Sequence, residues 1–378
     1  MGYVDHAVRR SLEHPRAMNF IRRAVEKAPE VEIPKWGVAV LAITLIVLIL
    51  GVSAIEYTLK DVIATLAMVE TPSAAITVSP SSESPPKDVK EDLLETGPTI
   101  TLVHTKPITS SIRGTIRHLI SQAGRFSRWR GIKSFLLYNL CFSIVGNLIE
   151  SILPRVPGRL ILASGLAGAL CANLHAAWTH KVISMPSDTK FLRRIPARSN
   201  WKLLALPAAI NASAGYLSFY VAHGSSMLLG LHRIHNQNPA AFSGAEWVSV
   251  VFRVLAVIII VISCCLFIVL PAHVTQIRVE ASILPEDQDT IIPFDRTLGG
   301  KVVPKILGGT GCVGFLDAWR SFNWEARRRL IKLYTKIVLI ITALVFVVAH
   351  IMAFETWAIM GPALGKFLAQ ARQQGYIA

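Results

Sequence analysis

The chain has 378 residues, of which 52% are hydrophobic and only 17% are charged, and its mean hydropathy is +0.48. Soluble domains carry nearer a quarter charged residues, so this composition argues against a soluble protein. The net charge of +15 is spread between apolar blocks without a nucleic-acid-binding motif, so nucleic acid is not an expected partner.

The N-terminal tail, residues 1–35, is polar and basic. Within it, Ala7 to Lys27 has the pattern of a basic amphipathic helix, in which Val8 and Leu12 alternate with arginines. Such a helix lies on a membrane surface or in solvent, and the sequence leaves both alternatives open. Because the tail is polar and the first apolar block is long, we predict no cleavable secretory signal.

Six long apolar blocks follow, each close to the ~20 residues that cross the hydrocarbon of a bilayer. The blocks carry hardly any charge and are Trp36 to Ile55, Ser134 to Ile152, Leu160 to Thr179, Leu203 to Ala222, Val248 to Leu270 and Ile337 to Phe354. We therefore predict an all-α, multi-pass membrane protein with six transmembrane helices and short helices in its loops.

The segments between the blocks alternate in length and charge. The long segments 56–133, 181–202 and 273–336 carry 10, 6 and 10 Lys plus Arg, whereas the short segments 153–159 and 223–247 carry 2 and 1. With six crossings, the three basic segments share one side, which we call the loop face, and the helices form three pairs. This charge bias assigns the loop face to the positive side of the membrane. Anionic membrane lipids and a small anionic solute are the expected partners.

The first long segment contains an insertion, residues 71–107, that is rich in Pro, Ser and Thr. It includes an acidic patch from Asp88 to Glu95. Because such a composition buries little apolar surface, we predict that the insertion is disordered.

A short motif precedes each even-numbered block. Gly124, Trp129, Arg130 and Gly131 stand before the second block, Gly314, Trp319 and Arg320 stand before the sixth at the same spacing, and a shorter pair, Trp201 and Lys202, stands before the fourth. An aromatic beside a basic residue also suits a helix entering the membrane interface, so a single instance would indicate little. Three instances in register indicate an internal repeat.

A second set of residues follows the odd-numbered blocks. It comprises Asp61 after the first block, Pro186, Asp188 and Lys190 after the third, and Pro271 and Arg278 after the fifth. Together the two sets resemble the mitochondrial carrier family. Each of the three repeats of that family has Pro-x-acid-x-x-base after its odd helix and Glu-Gly-x4-aromatic-basic-Gly before its even helix.

The resemblance implies three repeats, residues 36–152, 153–222 and 223–356, followed by a C-terminal tail, 357–378. It also implies a place in the mitochondrial inner membrane and transport of a small anionic metabolite by alternating access. In that interpretation Asp61, Asp188, Lys190 and Arg278 are gate charges, and Pro186 and Pro271 kink helices toward the gate. Only the second repeat keeps both an acid and a base, so the ion-pair network of the family cannot form completely.

Polar side chains inside the blocks point to a substrate cavity, because polar groups in a membrane face protein or water. The candidates are Asn139, Ser143, Asn147 and Glu150 on one face of the second block, Asn173 and His175 in the third, and Asn211 in the fourth. By the resemblance, Tyr138 falls near a position that contacts substrate. Small and weakly polar residues also hold membrane helices together, and this alternative is stronger for Gly165 and Gly168.

Two other functions remain open. A carrier-like fold with an incomplete gate suits a scaffold or membrane-shaping protein, with the insertion and the basic tail as its working parts. A membrane-embedded enzyme acting on a lipid or terpenoid would use Glu150 or Glu355 as its acid. We predict no catalytic residues, no cofactor and no metal, because neither His175 and His180 nor the five cysteines have the spacing of metal ligands.

Overall fold

The computed structural model describes residues 34–71, 74–79, 99–104, 106–187, 191–234, 242–303 and 305–361, and the positions 365 and 369. Several predictions lie outside the described residues. These are the amphipathic tail, the acidic patch of the insertion, the gate charges Asp188 and Lys190, and most of the C-terminal tail.

Five helical segments in the described part are long and apolar enough to cross a membrane, and a bent pair of helices adds a sixth. We name them spans 1 to 6 in chain order: Lys35–Val69, Arg125–Ile152, the pair Arg159–Leu170 and Ala172–Ile183, Arg198–Leu228, Gly244–Ser282 and Trp324–Met360. Each predicted apolar block lies within one span. The prediction of a helical, multi-pass membrane protein is therefore confirmed.

Shorter elements connect the spans. The short helices are Ile112–Ala123, Phe191–Arg194, Leu231–Ile234 and Phe315–Arg320, and 3-10 turns lie at Ile108–Ser110, Arg198–Asn200 and Lys305–Leu307. A further 3-10 turn, Arg125–Trp129, leads into the α-helix Ile132–Ile152 of span 2, and the helix of span 4 is Trp201–Leu228.

Two strands, Ala74–Ser79 and Thr99–His104, form an antiparallel pair inside the insertion. The prediction that residues 71–107 are disordered throughout is thus wrong for these two stretches. The composition of the whole insertion concealed them, because each is a short run rich in Ile, Val and Thr, which favour strands. The membrane-spanning part of the chain is all-α, as predicted.

Spans 1 and 5 each change from α-helix to π-helix and back before they reach the loop face. In span 1 the helices Lys35–Glu56 and Ala64–Val69 flank the π segment Tyr57–Ile63. In span 5, Gly244–Cys264 and Leu270–Ser282 flank the π segment Cys265–Val269. Pro271 is the second residue of the helix that follows the π segment of span 5, and the kink predicted there stays a prediction.

Span 3 is interrupted by a bend. Its two helices meet at 63° around Cys171. The predicted kink at Pro186 is wrong, because the span ends at Ile183 and Pro186 lies in the following loop. All three odd-numbered spans therefore depart from a straight α-helix, but only one departure involves a proline.

The C-terminal ends of spans 1, 3 and 5 pack together at the loop face. Their buried apolar side chains form one core with the start of span 6, and its members include Val62, Ile63, Leu66, Trp178, Val182, Ile183, Val274, Ile277 and Leu330. Farther along, span 1 packs on span 6, span 2 on span 3, and span 4 on both span 3 and span 5. The outer surfaces of the spans are apolar and exposed, as lipid-facing surfaces are.

Spans 3 and 4 approach closely at two glycines. A Cβ on Gly168 would lie 2.6 Å from the Cβ of Ala212 and 2.7 Å from the carbonyl oxygen of Ala208. A Cβ on Gly165 would lie 2.5 Å from the hydroxyl of Ser213. Helix packing is therefore the reason for small residues at both positions.

Candidate functional site

A buried carboxylate, that of Glu280 on span 5, joins spans 3 and 5 near the loop face. Nδ1 of His175 lies 2.7 and 2.9 Å from the two carboxylate oxygens, and Nε2 of Gln276 donates to one of them at 2.8 Å. The Thr179 hydroxyl also donates to this carboxylate. Glu280 is only 1% exposed. A buried carboxylate needs hydrogen-bond donors around it, and here spans 3 and 5 supply them.

Span 4 completes this cluster. Nδ2 of Asn211 donates to Oε1 of Gln276 at 2.7 Å, and this bond orients the Gln276 amide toward Glu280. We call the five side chains the polar plug: His175, Thr179, Asn211, Gln276 and Glu280. Two predicted cavity residues, His175 and Asn211, belong to it. The plug ties together spans 3, 4 and 5.

A polar crevice lies between spans 2, 3 and 4, farther from the loop face than the plug. All four predicted residues of the span 2 stripe line it, together with Ser164 and Tyr216: Asn139, Ser143, Asn147 and Glu150. Its internal room is about 30 Å³, enough for about two water molecules. At its far end Arg159 pairs with Glu150 at 3.1 Å. The crevice and the plug therefore follow one another along the spans.

Aromatic side chains connect the crevice to the plug. Phe142 lines the crevice, and its ring centroid lies 5.8 Å from that of Tyr138. The Tyr138 ring in turn meets the His175 ring edge-on, with centroids 4.9 Å apart. Tyr138 thus lies between the two features without lining the crevice, and its predicted contact with substrate stays a prediction. Asn173 belongs to neither, because its side chain donates to the carbonyl of Pro196 in the loop after span 3.

The motif before span 2 closes the end of span 3. The Arg130 guanidinium donates to the carbonyls of Lys181 at 3.0 Å and of Ser184, at the helix end, where carbonyls lack partners within the helix. The Tyr57 hydroxyl donates to the Arg130 carbonyl at 2.7 Å and accepts from Nε1 of Trp178 at 3.2 Å. Arg130 therefore joins spans 1, 2 and 3 at the loop face.

Two glycines of the same motif need left-handed backbone. Gly124 ends the helix Ile112–Ala123 with φ +81°, and Gly131 begins the span 2 helix with φ +78°. A Cβ on Gly131 would also lie 3.2 Å from Cδ1 of Trp178. Glycine suits both positions, because other residues are strained in this conformation.

The two counterparts of this motif make different contacts despite their similar sequence. Gly314 begins the short helix Phe315–Arg320, and the Arg327 guanidinium lies 4.0 Å from the centroid of the Trp319 ring. Arg320 itself is exposed. Before span 4, Nε1 of Trp201 donates to the carbonyl of Ala169 at 2.7 Å, and Lys202 is exposed. The shared spacing therefore fixes the place of the motif but not its partners.

Arg278, predicted to be a gate charge, instead hydrogen-bonds to neutral groups. Its guanidinium donates to the carbonyls of Met68 at 2.9 Å and Ala318 at 3.1 Å, and to the hydroxyl of Ser321 at 3.0 Å. Met68 lies at the end of span 1, where carbonyls lack helical partners and a cation is favoured. Asp61, the other predicted gate charge among the described residues, is half-buried in the π segment of span 1. None of these three bonds of Arg278 involves Asp61.

A second buried carboxylate, that of Glu70, holds the end of span 1. It accepts from the N–H of Thr109 at 3.1 Å, from the N–H of Ile108 and from the Thr109 hydroxyl, and Nη1 of Arg329 lies 3.7 Å away. Sequence reasoning missed both Glu70 and Glu280. Both lie beyond the predicted apolar blocks, near the ends of helices that continue past those blocks. An acid among mostly apolar residues at such a helix end is the signal that could have found them.

The segment 283–303 lies across the loop face. The N–H of Ile291 donates to the carbonyl of Ile183 at 2.9 Å, and the N–H of Thr71 donates to the carbonyl of Pro293 at 2.9 Å. Partial burial raises the pKa of Asp295, but hydrogen bonds from Thr297 and Gly299 outweigh this and hold that pKa below its ordinary value. This segment covers the ends of spans 1 and 3 above the plug.

No protein-family model matches the sequence, and no curated protein matches it significantly. The polar plug and the polar crevice are therefore the features from which function is inferred.

Proposed function

We propose that this protein is a carrier-like membrane transporter that moves a small anionic metabolite by alternating access. The observation that supports this proposal is the order of two features along the spans. The polar crevice lies farther from the loop face, and the polar plug lies between it and the convergence of spans 1, 3 and 5. A transporter closed at the loop face has this arrangement.

The plug has the properties of a closed gate. It joins spans 3 and 5 through side chains, and Arg130 and Arg278 add bonds to the ends of spans 3 and 1. Hydrogen bonds between helices can be present in one conformation and broken in another. Alternating access requires two such conformations. The room in the crevice suits water and is too small for a metabolite, so solute binding requires spans 2, 3 and 4 to separate locally.

The proposal extends to three repeated helix pairs. The interruptions at Tyr57–Ile63, around Cys171 and at Cys265–Val269 all lie between the apolar part of an odd-numbered span and its end at the loop face. Similar interruptions in three odd-numbered spans support an internal repeat, as does the recurring motif before the even-numbered spans. The expected mitochondrial location stays a prediction, which imaging of a tagged protein tests.

Transport is tested with the purified full-length chain in liposomes. We expect exchange of at least one labelled anion from a panel of malate, citrate, phosphate and ADP. Tyr138→Ala should slow that exchange by about tenfold, equivalent to 1.4 kcal/mol of lost stabilisation, because the ring contacts both crevice and plug. Leu140→Ala is the matched control, since Leu140 lies on the same helix with its side chain 59% exposed on the outer surface. Absence of exchange for every anion would contradict transport and favour a scaffold.

A further inference from the structure

The ion pair within the plug has an unusual composition for a gate. Its anion is Glu280, but its cation is an imidazole, that of His175, and an imidazole is charged only while it holds an extra proton. Resting on the proposed function, we infer that solute movement is coupled to a proton held between His175 and Glu280. The co-transported species is thus a proton, and the solute is an anion whose charge it balances.

Other charged or titratable groups surround this pair, and they determine how firmly the proton is held. They are Lys60 and Asp61 on span 1, Tyr138 on span 2, His180 on span 3, His273 and Arg278 on span 5, and Arg194 in the loop after span 3. Arg278 is directed toward carbonyls of span 1 and the loop helix, so His175 is the partner that forms the ion pair.

The pair is placed where a proton from the crevice can reach it. The Tyr138 ring separates His175 from Phe142, which lines the crevice, by two successive ring contacts of 4.9 and 5.8 Å. On its other side the core of spans 1, 3 and 5 and the segment 283–303 separate the pair from the loop face. The shorter route for a proton therefore leads from the crevice, and the rings, which carry no proton themselves, must move aside to let water reach His175.

Alternating access gives the proton a direction. While the loop face is closed, imidazolium and carboxylate attract each other strongly, because little water screens them. Opening the loop face separates span 3 from span 5 and lets water reach both groups, which weakens this attraction. The closed state therefore binds the proton more tightly than the open state, and the linked equilibrium depends on pH.

The cycle balances with one proton. In the closed state the His175 imidazole takes one proton from crevice water, and the solute enters with its negative charge. When the loop face opens, the proton and the solute both leave to that side. The protein then returns to the closed state with the His175 imidazole neutral and Glu280 still ionised. No bond other than that to the proton forms or breaks.

The test uses the same liposomes with a pH-sensitive dye trapped inside and labelled malate or phosphate as the probe. With the membrane potential clamped at zero by equal K⁺ and valinomycin, one proton per solute supports about tenfold accumulation at an inward gradient of about one pH unit, whatever the charge of the probe. The interior should acidify as the probe enters. Glu280→Gln should exchange the probe at the same rate with and without the pH gradient and should not accumulate it. The same result is expected for His175→Gln. Glu286→Gln is the matched control, because Glu286 is an exposed carboxylate at the loop face, and it should accumulate the probe like the unmodified chain.

Each outcome bears on one claim. If the unmodified chain exchanges the probe at equal pH but neither accumulates it nor acidifies the interior, proton coupling is overturned and the proposed function stands. If Glu280→Gln still accumulates the probe, the proton is held elsewhere and the inference is wrong. If no probe exchanges at all, the proposed function fails and the inference fails with it. Should the variants not fold, the measurements on the unmodified chain decide.

Discussion

Arg278→Met is expected to lower the free energy of unfolding by about 3 kcal/mol or more, since each hydrogen bond from a charged group contributes about 1.5–3 kcal/mol. The guanidinium makes three such bonds, to the carbonyls of Met68 and Ala318 and to the Ser321 hydroxyl. Methionine replaces the apolar stem of the side chain, so the loss reports the hydrogen bonds and not a cavity. The end of span 1 and the helix Phe315–Arg320 should both loosen.

Thermal unfolding in one detergent measures this effect. Arg320→Met is the control, because Arg320 has an exposed side chain and lies in the helix Phe315–Arg320, which Arg278 contacts through the Ala318 carbonyl. Its melting temperature should stay close to that of the unmodified chain, whereas that of Arg278→Met should fall clearly. Equal melting temperatures for the two variants would show that the contacts of Arg278 do not hold spans 1 and 5 together.

Glu70→Ala is the second large expected loss, again about 3 kcal/mol, because it leaves a buried counter-charge and two amide donors without their acceptor. Its carboxylate accepts from the N–H groups of Ile108 and Thr109 and lies near Arg329. The effect should concentrate where the insertion rejoins the loop face. Hydrogen exchange of the amides of Ile108 and Thr109 should therefore accelerate more than exchange in the core of spans 3 and 5.

The control for Glu70→Ala is Glu325→Ala. Glu325 is exposed in the first turn of span 6 near the same arginine, and such a carboxylate contributes about 0.3–1 kcal/mol. If both variants lose the same stability, or if exchange at Ile108 and Thr109 does not change in Glu70→Ala, Glu70 does not anchor this segment.

The spans were predictable because their signal is local. Some twenty apolar residues without charge have one low-energy solution in a membrane, a helix with all its backbone bonds satisfied internally. The windows of apolar residues nevertheless ended too early at the loop face. Span 1 continues to Val69 and span 5 to Ser282, so Glu70 and Glu280 stood outside the predicted blocks.

Part of the candidate site was predictable from helical period. Asn139, Ser143 and Asn147 recur every four residues, so they share one face of span 2, and that face lines the crevice. His175 and Asn211 were predicted as polar residues of the cavity, and both belong to the plug. Their common partner, the Glu280 network, depends on how spans 3, 4 and 5 pack, and no local pattern specifies that packing.

The gate charges were predicted from a motif, which gives their positions in the sequence but not the groups that they contact. Arg278 occupies its predicted place at the end of span 5, yet it donates to carbonyls that the helix ends leave exposed. The bend expected at Pro186 occurs at Cys171 instead, within the membrane-spanning part of span 3. A proline bends a helix only where it lies within that helix, and the motif did not show that Pro186 lies in the loop after span 3.

The central claim is that span 2 turns a wet polar face toward the interior of the protein and an apolar face toward lipid. Thiol labelling in liposomes tests it most directly, with Ser143→Cys and Ile144→Cys compared in a chain whose five native cysteines are replaced by serine. Ser143 lines the crevice, and Ile144 is 59% exposed on the outer surface. A charged, membrane-impermeant thiol reagent should label Ser143→Cys and spare Ile144→Cys. Failure to label Ser143→Cys from either side of the membrane, or equal labelling of both variants, would contradict the account.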